Sequence, residues 1–322
     1  MAAEATVAGT GIGRHQVVRA LQDYGVYAAV ILLLVVDAVL SSAFLDASNL
    51  RVQAYQLVPT LLVSLGMALV IGTEGVDLSV GAVVALSASL IPLYLGYGVG
   101  LSIGICLVAG AVSGMIAGLM VGVARVQPIV ATLALMIGLR GVAVIFNGNQ
   151  AKVIFNPTIT GLGINQALGV PVMAWIATGV VIVVFLVVRR TTFGRQLVAT
   201  GDNRAASQLA GLPVRRVLVS VYVISGVLAA LAGVLIVGHG AEADPAQQGL
   251  GIELAAITAV VVGGTPLTGG RVKVIGTVAG AVFMQLVAAT LIQHNVPNSY
   301  AQITEAVIIC IAVYLAKERG RR

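Results

Sequence analysis

The stretch Arg189–Arg216, RRTTFGRQLVATGDNRAASQLAGLPVRR, lies between two apolar runs, Pro171–Val188 and Val217–Val237. Each run is long enough to cross or nearly cross a bilayer. The stretch holds six of the chain's 18 Lys and Arg residues against one acid, Asp202. A short helix is written in its middle. Asp202 or Asn203 can cap the first turn, Arg204–Ala210 contains good helix formers, Gly211 suits the position just past the end, and Pro213 forbids continuation. So short a helix does not persist alone in water. Its side chains sort into an apolar strip (Ala205, Ala206, Leu209, Ala210) and a polar one (Arg204, Ser207, Gln208). Two readings stand side by side: a helix that docks on a partner, or a cytoplasmic loop resting on lipid headgroups.

Composition extends the same reading to the whole chain. With 59% hydrophobic and 9% charged residues and a mean hydropathy of +1.04, the expected fold is an all-α polytopic membrane protein. Ordinary soluble domains carry about a quarter charged residues. A chain of 322 residues with this balance leaves no room for a soluble catalytic domain. The net charge of +6 sits in short loops between apolar runs, a pattern that orients a chain in a bilayer and does not point to nucleic acid. Cys106 and Cys310 both fall inside apolar runs, which suits neither a structural disulfide nor a metal site. No signal peptide is expected, and residues Met1–Gly13 read as a small, polar, disordered start.

Ten candidate spans follow: Gly25–Leu45, Ala54–Thr73, Ser79–Leu95, Gly98–Val123, Pro128–Phe146, Pro171–Val188, Val217–Val237, Glu253–Leu267, Val274–Gln293 and Ala301–Ala316. An even number puts both termini on one side. With the N terminus inside, the inside segments hold Arg14, Arg19, Arg125, the six arginines of the central loop, Arg271, Lys273, Lys317, Arg319, Arg321 and Arg322. The outside segments hold only Arg51 and Lys152. The positive-inside rule therefore gives N-in and C-in. Residues 1–24 form a cytoplasmic tail, 25–316 one transmembrane domain with its cytoplasmic loop at 189–216, and 317–322 a second cytoplasmic tail.

Two pairs of runs share an interruption. In ALVIGTEGVDLSVGAVVAL one run ends at Gly72 and another opens near Asp77, which is suited to cap a helix beginning at Leu78. In ITAVVVGGTPLTGGRVKVIGTVAG a short run breaks at Gly263–Gly264–Thr265–Pro266. Broken helices line pathways in transporters, so Glu74, Asp77, Ser79, Gly263, Gly264 and Thr265 are path candidates. The same residues also read as two cytoplasmic turns with tight glycine geometry. On the outer side, Asn147–Gly169 is rich in Asn, Gln and Gly. Asn147 and Asn149, together with Glu253, are candidates for contact with a neutral polyol, though a solvated connector has the same composition. Gly238–Ile252, with Glu242, Asp244 and Pro245, is the other sizeable outer loop, and either could meet a soluble partner.

Six acids lie within or at the edges of spans: Asp37, Asp46, Glu74, Asp77, Glu253 and Glu305. An acid at membrane depth is a functional candidate as proton relay, ion ligand or substrate contact. Asp37 and Glu305 are the deeper two, and Asp37 has Arg140 as a conceivable partner. His15, His239 and His294 show no ligand spacing, so no metal site is expected. No G-x-x-x-x-G-K-[ST] phosphate loop occurs, so this chain is not expected to hydrolyse ATP.

Three blocks resemble the permease subunits of carbohydrate ABC importers of the ribose, xylose and galactofuranose type, over about Ala54–Lys317. Glu74-Gly75-Val76-Asp77-Leu78-Ser79-Val80-Gly81 resembles the family's G-G-I-D-L-S-V-G. Gly194-Arg195 through Ala199-Thr200-Gly201-Asp202-Asn203 to Ala205-Ala206 and Gly211 resembles the stretch holding the family's coupling helix. Glu253-Leu254-Ala255-Ala256-Ile257 to Gly263-Gly264-Thr265-Pro266-Leu267-Thr268-Gly269-Gly270-Arg271 resembles E-L-D-A-I-A-A-V-V-I-G-G-x-S-L-x-G-G-R. Glu74 stands at a usual Gly, Ala255 at a usual Asp and Pro266 at a small polar residue. Gly141–Pro157 and Ala241–Gly251 are most similar to the galactofuranose branch.

The resemblance implies two permease subunits, identical or different, forming the membrane path in a bacterial inner membrane. It implies separate ATPase subunits that bind ATP-Mg and an extracytoplasmic sugar-binding protein. The coupling helix would be Asn203–Leu212, with Asp202, Asn203, Arg204, Ala205, Ala206, Leu209 and Gly211 at the ATPase contact. This chain itself would bind no cofactor. The other function classes are an ion-coupled secondary transporter using Asp37, Glu305 or Asp77, and a membrane scaffold without transport.

Overall fold

Apolar runs of 18 residues or more can satisfy their backbone in hydrocarbon only as helices, and the chain folds accordingly. The computed structural model describes residues 13–40, 44–293, 300, 303, 304 and 306–308. Most of the expected last span, Ala301–Ala316, together with Glu305 and Cys310, lies outside the described residues, as do His294, residues 1–12 and the cations beyond residue 309. In chain order the elements are α1 (Gly13–Leu40), α2 (Ala47–Gly72), α3 (Val80–Tyr94), α4 (Val99–Gly122), α5 (Pro128–Asn147), β1 (Lys152–Val153), α6 (Pro157–Ile164), β2 (Gln166–Ala167) and β3 (Val170–Pro171). They continue with α7 (Val172–Arg190), α8 (Thr192–Asp202), α9 (Arg204–Leu209), α10 (Val214–Gly240), β4 (Glu242–Ala243), α11 (Ile252–Val262) and α12 (Val274–Gln293).

Among the described residues, seven helices are long and apolar enough to cross a membrane: α2, α3 with the 3-10 turn that extends it to Tyr97, α4, α5, α7, α10 and α12. The apolar part of α1, Gly25–Val39, and α11 are shorter. The expected span Glu253–Leu267 contracts to Ile252–Val262, because Gly263, Gly264 and Pro266 cannot continue a helix. Its 11 residues rise about 17 Å, well short of a hydrocarbon core of about 30 Å.

The core is built on α2 and α10. From Leu61 to Gly72 every residue of α2 is buried. Beside it α10 packs on α2, α3 and α4. The α4–α10 seam is close because α4 carries Gly110, Gly114, Gly118 and Gly122 at four-residue steps. A Cβ at the first three would strike the α10 backbone at Gly226, Tyr222 and Val219. Hydrophobic burial drives no helix association within lipid, so such small-residue ladders let dispersion and close backbone approach do so.

The connections gather at two ends. At one, β1 pairs antiparallel with β4, α6 meets the C-terminal turns of α10 at Gly163 and Gly238, and β2–β3 forms a small hairpin. At the other lie residues 72–79, the α4–α5 turn with Arg125, the segment α8–α9 and residues 263–273. This second end carries the central loop's arginines together with Arg125, Arg271 and Lys273. Asp37 does not meet Arg140: its Oδ1 accepts from the Thr290 hydroxyl of α12 at 2.8 Å. Arg140 instead donates to the carbonyls of Pro245 and Gln248.

Candidate coupling site at the basic end of the bundle

The three sequence blocks, distant along the chain, meet at the basic end. The Gly270 amide donates to the Gly72 carbonyl at 3.1 Å. Gly201, the penultimate residue of α8, lies against that bond: a Cβ there would overlap Gly72 O and come within 2.7 Å of the Gly270 nitrogen. Gly269 faces the Gly201 carbonyl and the Glu74 amide, and Gly270 faces Asp202. Both have left-handed φ, 75° and 74°, which suits glycine. At Gly201 the junction is therefore backbone against backbone, with no side chain among its nearest neighbours to absorb a shift.

The segment that leaves this junction, α8–α9, is locally specified. Thr191 Oγ1 accepts from the Gly194 amide and caps α8. Leu197, Thr200 and Gly201 are buried, which seats the helix on the bundle. Asn203 breaks the helix with extended backbone, and its Oδ1 accepts from the Ala206 amide at 2.9 Å. Of the two expected caps it is thus Asn203 that serves, while Asp202 closes α8. At the far end the Gly211 amide bonds Gln208 O and the Leu212 amide bonds Ser207 O, with Gly211 at φ 77°. That double closure is a Schellman stop. α9 is one residue shorter than the expected Arg204–Ala210, Ala210 being its cap. Ser207 turns inward and donates to Ala199 O at 2.8 Å. Ala205, Ala206, Gln208, Leu209 and Ala210 face out, with Leu209 91% exposed.

From α9 a chain of contacts runs into the bundle. Arg204 Nη2 donates to the Thr73 carbonyl at 3.3 Å. Thr73 opens the turn to α3, in which Glu74 is exposed at φ 64° and Asp77 is buried, 1% exposed. The Asp77 carboxylate accepts from the Ser79 amide (3.1 Å) and hydroxyl (2.6 Å) through Oδ1, and from the Ser225 hydroxyl (3.0 Å) through Oδ2. The expected role of Asp77 as cap of a helix starting at Leu78 is corrected here. α3 starts at Val80, and Asp77 closes the turn before it. Ser225 is about 17 Å along α10 from Val214, near the middle of that helix. The α2–α3 break thus dips to mid-height. Thr265, at the other break, is buried, and its Oγ1 accepts from the Lys273 amide at 3.0 Å, which holds the turn between α11 and α12. Gly263 packs against Gly276 across the same turn, and Gly264 takes a left-handed φ of 88°.

Toward the opposite end the outer candidates separate. Asn147 is buried and donates to Ala243 O at 2.8 Å, tying α5 to β4. Asn149 is exposed with φ 56°. Glu253 is partly buried on the first turn of α11, within electrostatic reach of Arg140. A Cβ at Gly81 would overlap Glu253 Oε2 and Gly249 O, so Gly81 of the first block makes room for Glu253 of the third. No group of three or more His, Cys, Asp and Glu residues able to hold a metal occurs among the described residues.

Apolar helices at membrane length, two interruptions between helices and an outward-facing short helix define a multi-pass membrane protein. The profile of the family described as branched-chain amino acid transport system / permease component matches residues 49–313, and the chain belongs to that family. It is 35% identical to the ribose import permease protein of Escherichia coli (strain K12), over 90% of this chain and 92% of that protein. It is 33% identical to the galactofuranose transporter permease protein of the same strain, over 81% and 77%. To the fructose import permease protein of Bifidobacterium longum (strain NCC 2705) it is 34% identical, over 78% and 73%. No solved structure matches the chain.

Proposed function

We propose that this chain is the transmembrane subunit of an ATP-driven importer for a neutral sugar or polyol, seated in a bacterial inner membrane with ten spans and both termini in the cytoplasm. The similar permeases named for ribose, galactofuranose and fructose support the substrate class. The observation that carries the coupling is α9: a capped helix at the basic end whose exposed face is Ala205, Ala206 and Leu209, with Asp202, Asn203, Arg204 and Gly211 shaping its ends. A separate ATPase subunit, which binds ATP-Mg, seats that face. A second permease subunit completes the path, and an extracytoplasmic binding protein delivers substrate to the outer loops.

The geometry gives the movement a route. A displaced α9 pulls through Arg204 on the Thr73 carbonyl and through Gly201 on the Gly72–Gly270 bond. Both act on the turn that carries Glu74, Asp77 and Ser79, and the second acts also on the turn of Gly263, Gly264 and Thr265. Packed backbone is bistable and does not deform smoothly, so a small shift at α9 becomes a rearrangement at the two breaks. The ATPase can bias this equilibrium only by holding α9 differently in its two states. Asn147 and Asn149 stand at the outer end, where substrate arrives, and Glu253 lies deeper in the bundle, against Gly81.

The test is uptake of labelled ribose, galactofuranose and fructose into vesicles holding the chain with its ATPase and binding protein. Accumulation that needs ATP and survives collapse of the proton gradient supports the proposal. Accumulation by the chain alone that follows the proton gradient makes it a secondary transporter.

A further inference from the structure

A cavity of about 440 Å³ opens between α1, α7 and the start of α12 at the basic end, apart from the α9 junction. Arg189, Arg271 and Lys273 line it, with Tyr27, Phe185 and Val188 forming apolar walls. Arg189 and Arg271 are exposed, and the Arg189 guanidinium stands 5.5 Å over the Phe185 ring, a stacking that orients its remaining donors. The floor is Val274–Gly276, the first turn of a 20-residue helix, whose dipole adds to the positive potential.

We infer that this cavity binds the phosphate headgroup of an anionic glycerophospholipid. The charge alone would suit any phosphate, but the surroundings select an amphiphile. Above the cavity, α1 exposes Ile31, Leu32 and Val35, and α7 exposes Ile182, Val183 and Leu186. A headgroup held by the arginines lets its acyl chains lie along these apolar faces, whereas free phosphate gains nothing from them. Basic pockets between transmembrane helices on the cytoplasmic side are suited to such headgroups. The bound lipid would join α1 and α7 to residues 271–276, next to the Gly270 contact of the coupling junction, so that lipid composition tunes coupling. The cytoplasmic placing of this end rests on the topology proposed above.

The experiment is native mass spectrometry of the detergent-purified chain after exposure to phosphatidylglycerol or phosphatidylcholine. The unmodified chain should retain phosphatidylglycerol at least tenfold better than phosphatidylcholine. Arg189→Gln with Arg271→Gln should lose that preference, and Arg189→Lys with Arg271→Lys should keep most of it, which separates lost charge from lost fold. Arg125→Gln, at the same end but away from the cavity, should match the unmodified chain. Equal retention in the double Gln variant overturns the inference. Displacement of the lipid by millimolar inorganic phosphate also overturns it and makes this a free-anion site.

Discussion

Gly201→Ala puts one methyl group into the place where the three blocks meet. The added Cβ would overlap the Gly72 carbonyl and lie 2.7 Å from the Gly270 nitrogen and 2.9 Å from the Gly72 carbonyl carbon, all backbone atoms. Overpacking of this kind costs about 1–3 kcal/mol. Parting the Gly270–Gly72 hydrogen bond adds about 0.5–1.5 kcal/mol. Alanine returns up to about 1 kcal/mol in helix propensity, since Gly201 lies within α8. The net is a destabilisation of about 1–3 kcal/mol, concentrated at the coupling junction. Gly179→Ala on α7 is the matched control, because nothing lies within 4 Å of its added Cβ. Dye-monitored melting in detergent should show Gly201→Ala below the unmodified chain and Gly179→Ala at or above it. ATP-driven uptake should fall only in the first. Equal melting points for the two variants would refute the packing argument.

Asp77→Ala strands the Ser79 amide and two hydroxyls and should destabilise by about 2–4 kcal/mol, whereas Ser225→Ala should cost about 1 kcal/mol. Combined, the two should fall short of additivity by at least about 0.5 kcal/mol in melting or denaturant titration, as expected for contacting residues. Glu74→Gly should raise stability by about 1 kcal/mol, because a non-glycine residue is held there at φ 64°. A lower melting point for that variant would mean that the glutamate side chain makes up for its strained backbone.

Most of the bundle was legible because its code is one-dimensional. The apolar runs of α3, α4, α5, α7, α10 and α12 appear in the sequence nearly at their structural bounds, since hydrocarbon thickness sets both, whereas α2 begins at Ala47, seven residues before the expected Ala54. The stop of α9 at Gly211 and Pro213 was legible for the same local reason. By contrast α8 was missed: Gly194, Thr200 and Gly201 are poor helix formers, and the helix exists because its buried face is held by the bundle. The glycine ladder of α4 was a visible signal, a four-residue period from Gly110 to Gly122, that apolar length alone does not pick up. The role of Asp77 was half legible. Its residue type suggested a local cap, but its second partner, Ser225, is 148 positions away. Glu74 looked like an added charge, and only its left-handed backbone explains why glycine is usual there.

In the proposed function, α9 is where an ATPase subunit takes hold. The most direct measurement is a pull-down of the chain from detergent-solubilised native membrane, with and without Leu209→Asp, a change at a fully presented side chain that leaves the bundle untouched. An ATPase subunit should copurify with the unmodified chain and be lost from the variant, both chains being inserted equally. An ATPase retained equally by both, or a chain that emerges alone and still moves sugar under a proton gradient, would contradict it.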